Sequence, residues 1–323
     1  MLEHTSVAGS LRPVHIIQAH PTCIWSLAYL GTSHSVISSS DDGSIRHWTR
    51  DGMAIGQPWH SDGGPVGSIA VSADETMVIS GSVDGRIRLW DIKKGLIIDD
   101  SFGRHNAPVR CVDWAPNGQE IASGSHDCTI RQWNLSTGRQ IGRPIKAGQG
   151  WVISVKYSPQ GDKFASCAMD GIIRVWSKGG ELLVEIKAND DDYWVESLCW
   201  TKDGSSIFSG SGDHTIRKWR VIDGEELFVL RGHTGTVKHL CLSFDGCHLI
   251  SASDDCSVRI WDLKSNKQVG EPLLHDDGVM TMAISPDGQY VASGGLDKRI
   301  YLWNLEAALN QGSDQVCSYM PYC

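Results

Sequence analysis

The sequence lacks an excess of basic residues, and it lacks a long apolar run. Its 323 residues include 29 Lys and Arg against 38 Asp and Glu, which gives a net charge of −9. Nucleic-acid binding usually requires a basic stripe, so this balance argues against a nucleic-acid partner. No apolar run approaches the roughly 18 residues of a membrane span, and the N-terminus has no basic segment followed by an apolar core. We therefore expect no contact with a membrane and no signal peptide.

Cysteine is present but follows no pattern. The ten cysteines include no Cys-x-x-Cys pair and no repeated spacing, which argues against a metal site and against a disulfide framework. Free cysteines are typical of a reducing compartment. We expect a protein of the cytoplasm or the nucleus that holds no metal and no cofactor.

A regular repeat of tryptophan, aspartate and serine runs through almost the whole chain. The tryptophans are 42 or 43 residues apart, at Trp48, Trp90, Trp133, Trp176, Trp219, Trp261 and Trp303. An aspartate stands six residues before each of them, at Asp42, Asp84, Asp127, Asp170, Asp213, Asp255 and Asp297. A serine stands ten residues before each, at Ser38, Ser80, Ser123, Ser166, Ser209, Ser251 and Ser293. Seven repeats follow from this count.

Six of the seven tryptophans also have an arginine two residues before them. These are Arg46, Arg88, Arg131, Arg174, Arg217 and Arg259. Their regular position suggests a structural role, with the apolar stem along the sheet and the charged head at a solvated edge. Because they are spread around the repeats, we do not expect them to form a phosphate site.

The residues within each repeat are typical of β-strands. In the sixth repeat, three runs rich in β-branched residues are separated by the turn-forming segments "FDG" and "SDDC". A repeat of about 40–45 residues has the length of one four-stranded sheet. The sequence therefore predicts an all-β fold, a seven-bladed β-propeller of four-stranded antiparallel blades. We place a flexible leader at residues 1–12, the propeller at 13–305 and a C-terminal tail at 306–323, where "LEAAL" predicts one or two helical turns.

The chain resembles the WD-repeat (β-transducin-like) family from about Val14 to Asn304. The sixth repeat carries the family pattern most fully, in "GHTGTVKHLCLSFDG" and then "SASDDCSVRIWD". The segments "IGQPW", "IGRPI" and "VGEPL" share a Gly-x-Pro that is similar to WD arrays common in fungal proteins. The resemblance implies that the N-terminal strand, in "PVHIIQ", completes the last blade and closes the ring.

The resemblance also implies hydrogen-bonded tetrads of Trp, Ser, His and Asp. Five are expected: Trp48, Ser38, His20 and Asp42; Trp90, Ser80, His60 and Asp84; Trp133, Ser123, His105 and Asp127; Trp261, Ser251, His233 and Asp255; Trp303, Ser293, His275 and Asp297. Repeats four and five have Gly148 and Asp191 at the histidine position. Asp, His and Ser together could also suggest a catalytic triad. A triad needs a single site, however, so recurrence in five repeats favours a structural role.

The family's partner-contact positions lie on the face around the channel. Carried onto this chain, the binding candidates are Trp25, Arg110, Trp151, Ile153, Met169, Asp191, Trp194, Glu196, Lys238 and Asp254. Trp151 and Trp194 have two interpretations: they bind a partner, or they fill the space left by the missing histidines. The acidic run Asp190–Asp192 together with Glu196 predicts a partner protein or peptide with a basic segment. The apolar part of that segment is expected from the apolar area of Trp151, Ile153, Met169 and Trp194.

These features favour a non-catalytic scaffold that acts as a monomeric propeller within a larger complex. One alternative is a substrate adaptor of a ubiquitin ligase. Adaptors of this kind often carry Trp-Asp-x-Arg, whereas this chain has "WDIK" and "WDLK". A second alternative is an enzyme that uses His126, Asp41, Asp254 or Glu196 at the channel mouth, although the sequence shows no converging acid, base and nucleophile.

Overall fold

Seven four-stranded antiparallel sheets form a ring around a central channel. The computed structural model describes residues 11–188 and 193–310. Four consecutive strands form each of the first six blades, and the first strand of every blade lines the channel. The predicted fold, an all-β seven-bladed propeller, is confirmed.

The strands follow one another blade by blade. Blades 1 to 3 contain β2 (Ile24–Leu30), β3 (Ser35–Ser40), β4 (Ser44–Trp48), β5 (Trp59–His60); β6 (Val66–Val71), β7 (Met77–Ser82), β8 (Ile87–Asp91), β9 (Leu96–Asp99); β10 (Val109–Trp114), β11 (Glu120–Ser125), β12 (Thr129–Asn134) and β13 (Gln140–Lys146). Blades 4 to 6 contain β14 (Val152–Tyr157), β15 (Lys163–Ala168), β16 (Ile172–Ser177), β17 (Leu182–Lys187); β18 (Val195–Trp200), β19 (Ser206–Ser211), β20 (Ile216–Arg220), β21 (Glu226–Leu230); β22 (Val237–Leu242), β23 (His248–Ser253), β24 (Ser257–Asp262) and β25 (Lys267–Leu274).

Blade 7 joins the two ends of the ring. It contains β26 (Val279–Ile284), β27 (Tyr290–Gly295) and β28 (Arg299–Asn304), with β1 (His15–Gln18) as its outer strand. β1 pairs antiparallel with β28, His15 opposite Leu302 and Gln18 opposite Arg299. The N-terminal strand therefore closes the ring, as predicted.

The hydrophobic core is divided among the contacts between neighbouring blades. In one such cluster, Ile37 and Ile45 of blade 1 pack with Ile69, Val78 and Trp90 of blade 2. Alternate residues of the strands supply these side chains, because successive side chains of a strand point to opposite faces. Each blade is thus held mainly by the two blades beside it.

A short helix follows the last strand, where the sequence predicts one or two helical turns. α1 (Leu305–Asn310) buries Leu305 and Ala308 in a cluster with residues of blades 6 and 7. Within the described residues, no helix is long and apolar enough to cross a membrane.

Candidate functional site

Blades 1, 3 and 6 contain the complete tetrad. In blade 6, Trp261 Nε1 donates to Ser251 Oγ (2.8 Å), which lies 2.7 Å from His233 Nε2, and His233 Nδ1 lies 2.7 Å from Asp255 Oδ2. Burial lowers the pKa of His233, so the imidazole is neutral and carries one proton. That proton is donated from Nδ1 to the aspartate, and the serine hydroxyl donates to Nε2. The corresponding residues of the other two tetrads make the same contacts: Trp48, Ser38, His20 and Asp42; Trp133, Ser123, His105 and Asp127.

The prediction that His60 belongs to the tetrad of blade 2 is wrong. His60 is exposed at the end of β5, and its backbone pairs with Ser44. In the complete tetrads the histidine lies 22 residues before the aspartate. That position in blade 2 is Asp62, so the spacing in the sequence already excluded His60.

The tetrad predicted for blade 7 is also wrong, because it stops at the histidine. His275 Nε2 lies 2.7 Å from Ser293 Oγ, but its Nδ1 donates to the Leu273 carbonyl (3.2 Å) instead of to Asp297. Blade 7 has Tyr301 where six blades have arginine, and this ring centre lies 4.4 Å from that of His275. The histidine therefore packs against an aromatic ring, and burial raises the pKa of Asp297.

Arginine replaces the histidine in the blades that lack it. The Arg–Asp nitrogen–oxygen distances in blades 2, 4 and 5 are 2.5, 2.9 and 2.6 Å, for Arg88–Asp84, Arg174–Asp170 and Arg217–Asp213. In blades 1, 3 and 6 they are 3.5, 3.8 and 4.0 Å, for Arg46–Asp42, Arg131–Asp127 and Arg259–Asp255. Arg88 and Arg174 are buried, so the expected position of these heads at a solvated edge is wrong for them. In each blade without the histidine, the arginine therefore makes the close contact with the aspartate.

A β-bulge at the same position of each blade shapes the channel mouth. The pairing of the first strand with the second shifts register around the second residue of the first strand in all seven blades. A bulge re-aims the side chain at the extra residue. The seven bulged residues are Trp25, Gly67, Arg110, Ile153, Glu196, Lys238 and Met280, and all of them line one cavity.

This cavity, of about 380 Å³, lies at the channel mouth and is the candidate site. Its lining includes eight of the predicted binding residues, namely Trp25, Arg110, Trp151, Ile153, Met169, Trp194, Glu196 and Lys238. Asp254 is joined to the rim through Lys238, at 3.4 Å. Asp191 lies outside the described residues. The structure therefore brings residues of several blades together in one concave, largely apolar surface.

Two exposed tryptophans form part of this surface. Trp151 and Trp194 are 48% and 47% exposed. Trp151 stacks on His126, with ring centres 3.9 Å apart and planes 7° from parallel. Burial, and next the charge of Arg110, lower the pKa of His126, so the stacked ring is neutral. The binding prediction omitted His126, although its place directly before Asp127 matches that of Met169 before Asp170.

The charged groups at the mouth contact one another. Lys238 Nζ lies 3.1 Å from Glu196 and 3.4 Å from Asp254, and the Glu196 side chain is only 7% exposed. Trp25 Nε1 donates to Asp41 (3.1 Å). Glu196 thus shares the ammonium of Lys238 with Asp254, and its attraction of a basic partner stays a prediction.

The same contacts argue against the catalytic alternative. His126 is stacked on Trp151, Asp41 is bound by Trp25, and Glu196 and Asp254 both pair with Lys238. Each of the four residues named in that alternative is thus engaged in a contact within the protein. In residues 11–188 and 193–310, no three His, Cys, Asp or Glu side chains are grouped to hold a metal ion.

Curated relatives match only part of this chain. The Poly(A)+ RNA export protein of Schizosaccharomyces pombe is 32% identical over 111 residues, 33% of this chain and 31% of that protein. Eukaryotic translation initiation factor 3 subunit I of Botryotinia fuckeliana is 28% identical over 86 residues, 26% of this chain and 25% of that protein. Human WD repeat-containing protein 97 is 32% identical over 74 residues, 23% of this chain and 4% of that protein. The matches thus span less than a third of the length of each relative.

The family comparison covers nearly the whole described chain. The model of the WD domain, G-beta repeat, matches residues 11–49, 57–91, 99–134, 142–177, 180–220, 224–262 and 267–304. Each matched segment contains one of the repeat tryptophans and most of one blade. This chain belongs to the WD domain, G-beta repeat, family.

Proposed function

We propose that the protein is a non-catalytic scaffold that binds a segment of a partner protein at the channel mouth. Propellers of this family generally act as protein-interaction scaffolds. The observation that carries the proposal is the pair Trp151 and Trp194, about half exposed beside an apolar cavity. Large exposed apolar surface of this kind usually marks an interaction site.

The geometry of Trp151 supports a binding role. Its ring is held against His126, so little side-chain freedom is lost when a partner packs on the open face. Interface hot spots are rich in tryptophan and arginine near the centre of the contact. Met169 and Ile153 line the same cavity, and methionine adapts readily to different partner shapes.

The apolar part of the expected partner segment is kept in this proposal. Its basic part rested on Glu196 and on Asp190–Asp192. Glu196 is paired with Lys238, and the three aspartates lie outside the described residues. The free cysteines among the described residues fit the proposed location in the cytoplasm or the nucleus.

The test pairs a binding titration with a thermal melt. A partner purified with the full chain from its native cell is titrated against the protein and against Trp151→Ala and Trp194→Ala. We expect each replacement to weaken binding by roughly 1–4 kcal/mol. The melting temperature should change little, because both side chains are half exposed.

Phe244→Ala is the matched control. Phe244 is 67% exposed in the turn after β22, at the end of the blade away from the channel mouth. Its replacement should leave the affinity unchanged. Unchanged affinity in both tryptophan variants, with the fold intact, would refute the proposal.

A further inference from the structure

Among the described residues, one cation at the channel mouth, Arg110, has no acidic partner within 4.0 Å. Lys238 lies within 4.0 Å of two carboxylates, those of Glu196 and Asp254. Among the described residues, no carboxylate lies that close to the Arg110 guanidinium. Arg110 is a bulged residue of β10 and lines the cavity. Arg110 is therefore a guanidinium without an ion pair among the described residues, inside a mainly apolar surface.

The position of Arg110 leaves its donors available. Its guanidinium carbon lies 4.7 Å from the centre of the Trp25 ring. A guanidinium held over an aromatic face can still direct N–H groups outward in its own plane. Two such N–H groups side by side match the two oxygens of a carboxylate. Asp41, which lines the same cavity, accepts from Trp25 Nε1.

Apolar surface lies beside this charge. Arg110 shares the cavity with Ile153, Trp151 and Trp194. A volume of about 380 Å³ falls in the range of sites that enclose a small number of side chains. A ligand that filled the apolar part would bring a neighbouring acidic group close to Arg110.

We infer that the partner segment presents a glutamate or aspartate next to a large apolar side chain, with Arg110 binding the carboxylate. The inference rests on the proposed function and specifies the partner for the same site. It reverses the charge expected from the sequence. A basic segment would be repelled by Arg110, which has no ion pair among the described residues. Glu196 and Asp254 share the ammonium of Lys238, and Asp41 accepts a hydrogen bond from Trp25.

Three short peptides test this assignment. They are capped at both ends and share one Gly/Ser background, with Phe-Glu, Phe-Gln or Phe-Lys at the centre. Binding to the full chain is measured from the change in tryptophan fluorescence. The Phe-Glu peptide should bind at least about tenfold more tightly than Phe-Gln, since a charge-assisted pair is worth about 1.5–3 kcal/mol. Phe-Lys should bind most weakly, and added salt should reduce the difference.

Variants separate the charge from the apolar contact. Arg110→Ala should remove the preference for Phe-Glu and leave the affinity for Phe-Gln nearly unchanged. Trp151→Ala should weaken all three peptides together. Arg143→Ala, an exposed arginine on the outer strand β13, should change nothing. A melt of each variant checks that the fold is kept.

The outcomes distinguish this inference from the function on which it rests. A preference for Phe-Lys, or a Phe-Glu preference that persists in Arg110→Ala, overturns the role of Arg110. Equal binding of all three peptides, weakened by Trp151→Ala, overturns it too but supports the scaffold function. If no peptide binds, the inference fails, and the partner titration with Trp194→Ala decides the scaffold function separately.

Discussion

At the scale of single residues, one aspartate position is stabilised in two ways. A buried neutral histidine binds it in blades 1, 3 and 6, and an arginine does so in blades 2, 4 and 5. The arginine is present in all six of these blades. It lies within 3 Å of the aspartate only in the three blades that lack the histidine. A buried carboxylate needs a donor, and the repeat supplies two candidates for the same contact.

The two arrangements should differ in what the aspartate contributes to stability. Burial alone would raise the pKa of Asp255, but hydrogen bonds from His233, Ser257 and Thr234 bring it well below its usual range. Asp255→Ala leaves those donors unpaired and should cost roughly 2–4 kcal/mol. Asp170→Ala should cost less, because Arg174 keeps Glu185 (2.9 Å) and the Ala147 carbonyl.

Urea unfolding of the two variants measures this difference. The exposed pair Asp223–Arg220 provides the control, since Asp223→Ala should change the free energy of unfolding very little. Equal losses for Asp255→Ala and Asp170→Ala would contradict the interpretation.

His275 should make the stability depend on pH. Burial lowers its pKa from 6.5 to about 4. Between these values the unfolded chain binds the proton more readily than the folded protein. The free energy of unfolding should therefore fall as the pH decreases from 6.5 to 4, by up to about 3 kcal/mol from this group, and then level off.

Comparing His275→Gln with the parent protein isolates this effect. Denaturant midpoints across that pH window should vary less steeply in the variant, whatever its stability at neutral pH. Replacement of the exposed His60 by Gln is the matched control. An unchanged pH slope in His275→Gln would mean that this histidine is not held neutral in the fold.

At the scale of secondary structure, the four-residue strand β1 closes the ring. Ile17 is 3% exposed and packs in a cluster with Ile300 and Leu302 of blade 7, and with Trp48 of blade 1. Its neighbour Ile16 is 50% exposed. The strand is therefore anchored by hydrogen bonds to β28 and by very few buried side chains.

Adjacent isoleucines in β1 give a test matched in residue type. Ile17→Ala should cost about 2–4 kcal/mol, because it leaves a cavity in the closing cluster. Ile16→Ala should cost well under 1 kcal/mol, since that side chain remains in solvent. Chemical denaturation of both variants checks this, and similar losses would show that β1 does not anchor the ring through Ile17.

The bulges belong to the same scale, and the sequence could not have shown them. Trp25 and Ile153 were placed at the mouth by resemblance to the family. The register shift that aims them there is a property of strand pairing. Alternation of apolar residues gives the face of a strand but not an extra residue in its ladder.

At the scale of the whole molecule, a repeat predicts what every blade shares. The count of repeat tryptophans gave the number of blades, and the resemblance to the WD-repeat family implied the tetrad of blade 6. Contacts between repeats were not predictable in this way. Lys238 pairs with Glu196 from the next blade, 42 residues away, and no spacing within one repeat reveals that pair.

Departures from the repeat explain the two tetrads that were predicted wrongly. Tyr301 replaces the arginine of the other blades, and His275 then turns away from Asp297. His60 lies two residues out of register with the true tetrad histidines. In both blades, the identity or position of a single residue determines whether the tetrad is complete. A pattern averaged over seven repeats does not carry that information.

The closing strand has a consequence for how the ring could open. His15 lies opposite Leu302, and the N–H of Val14 donates to the Leu302 carbonyl (2.7 Å). The start of β1 is thus beside the end of β28. A circular permutant that began at β2 and carried β1 directly after β28 would replace this non-covalent seam by a hairpin turn. In the natural chain order, a pulling force applied to the N-terminal side of β1 would act first on the hydrogen bonds between β1 and β28. We expect the ring to open at this pairing before the other six blades unfold.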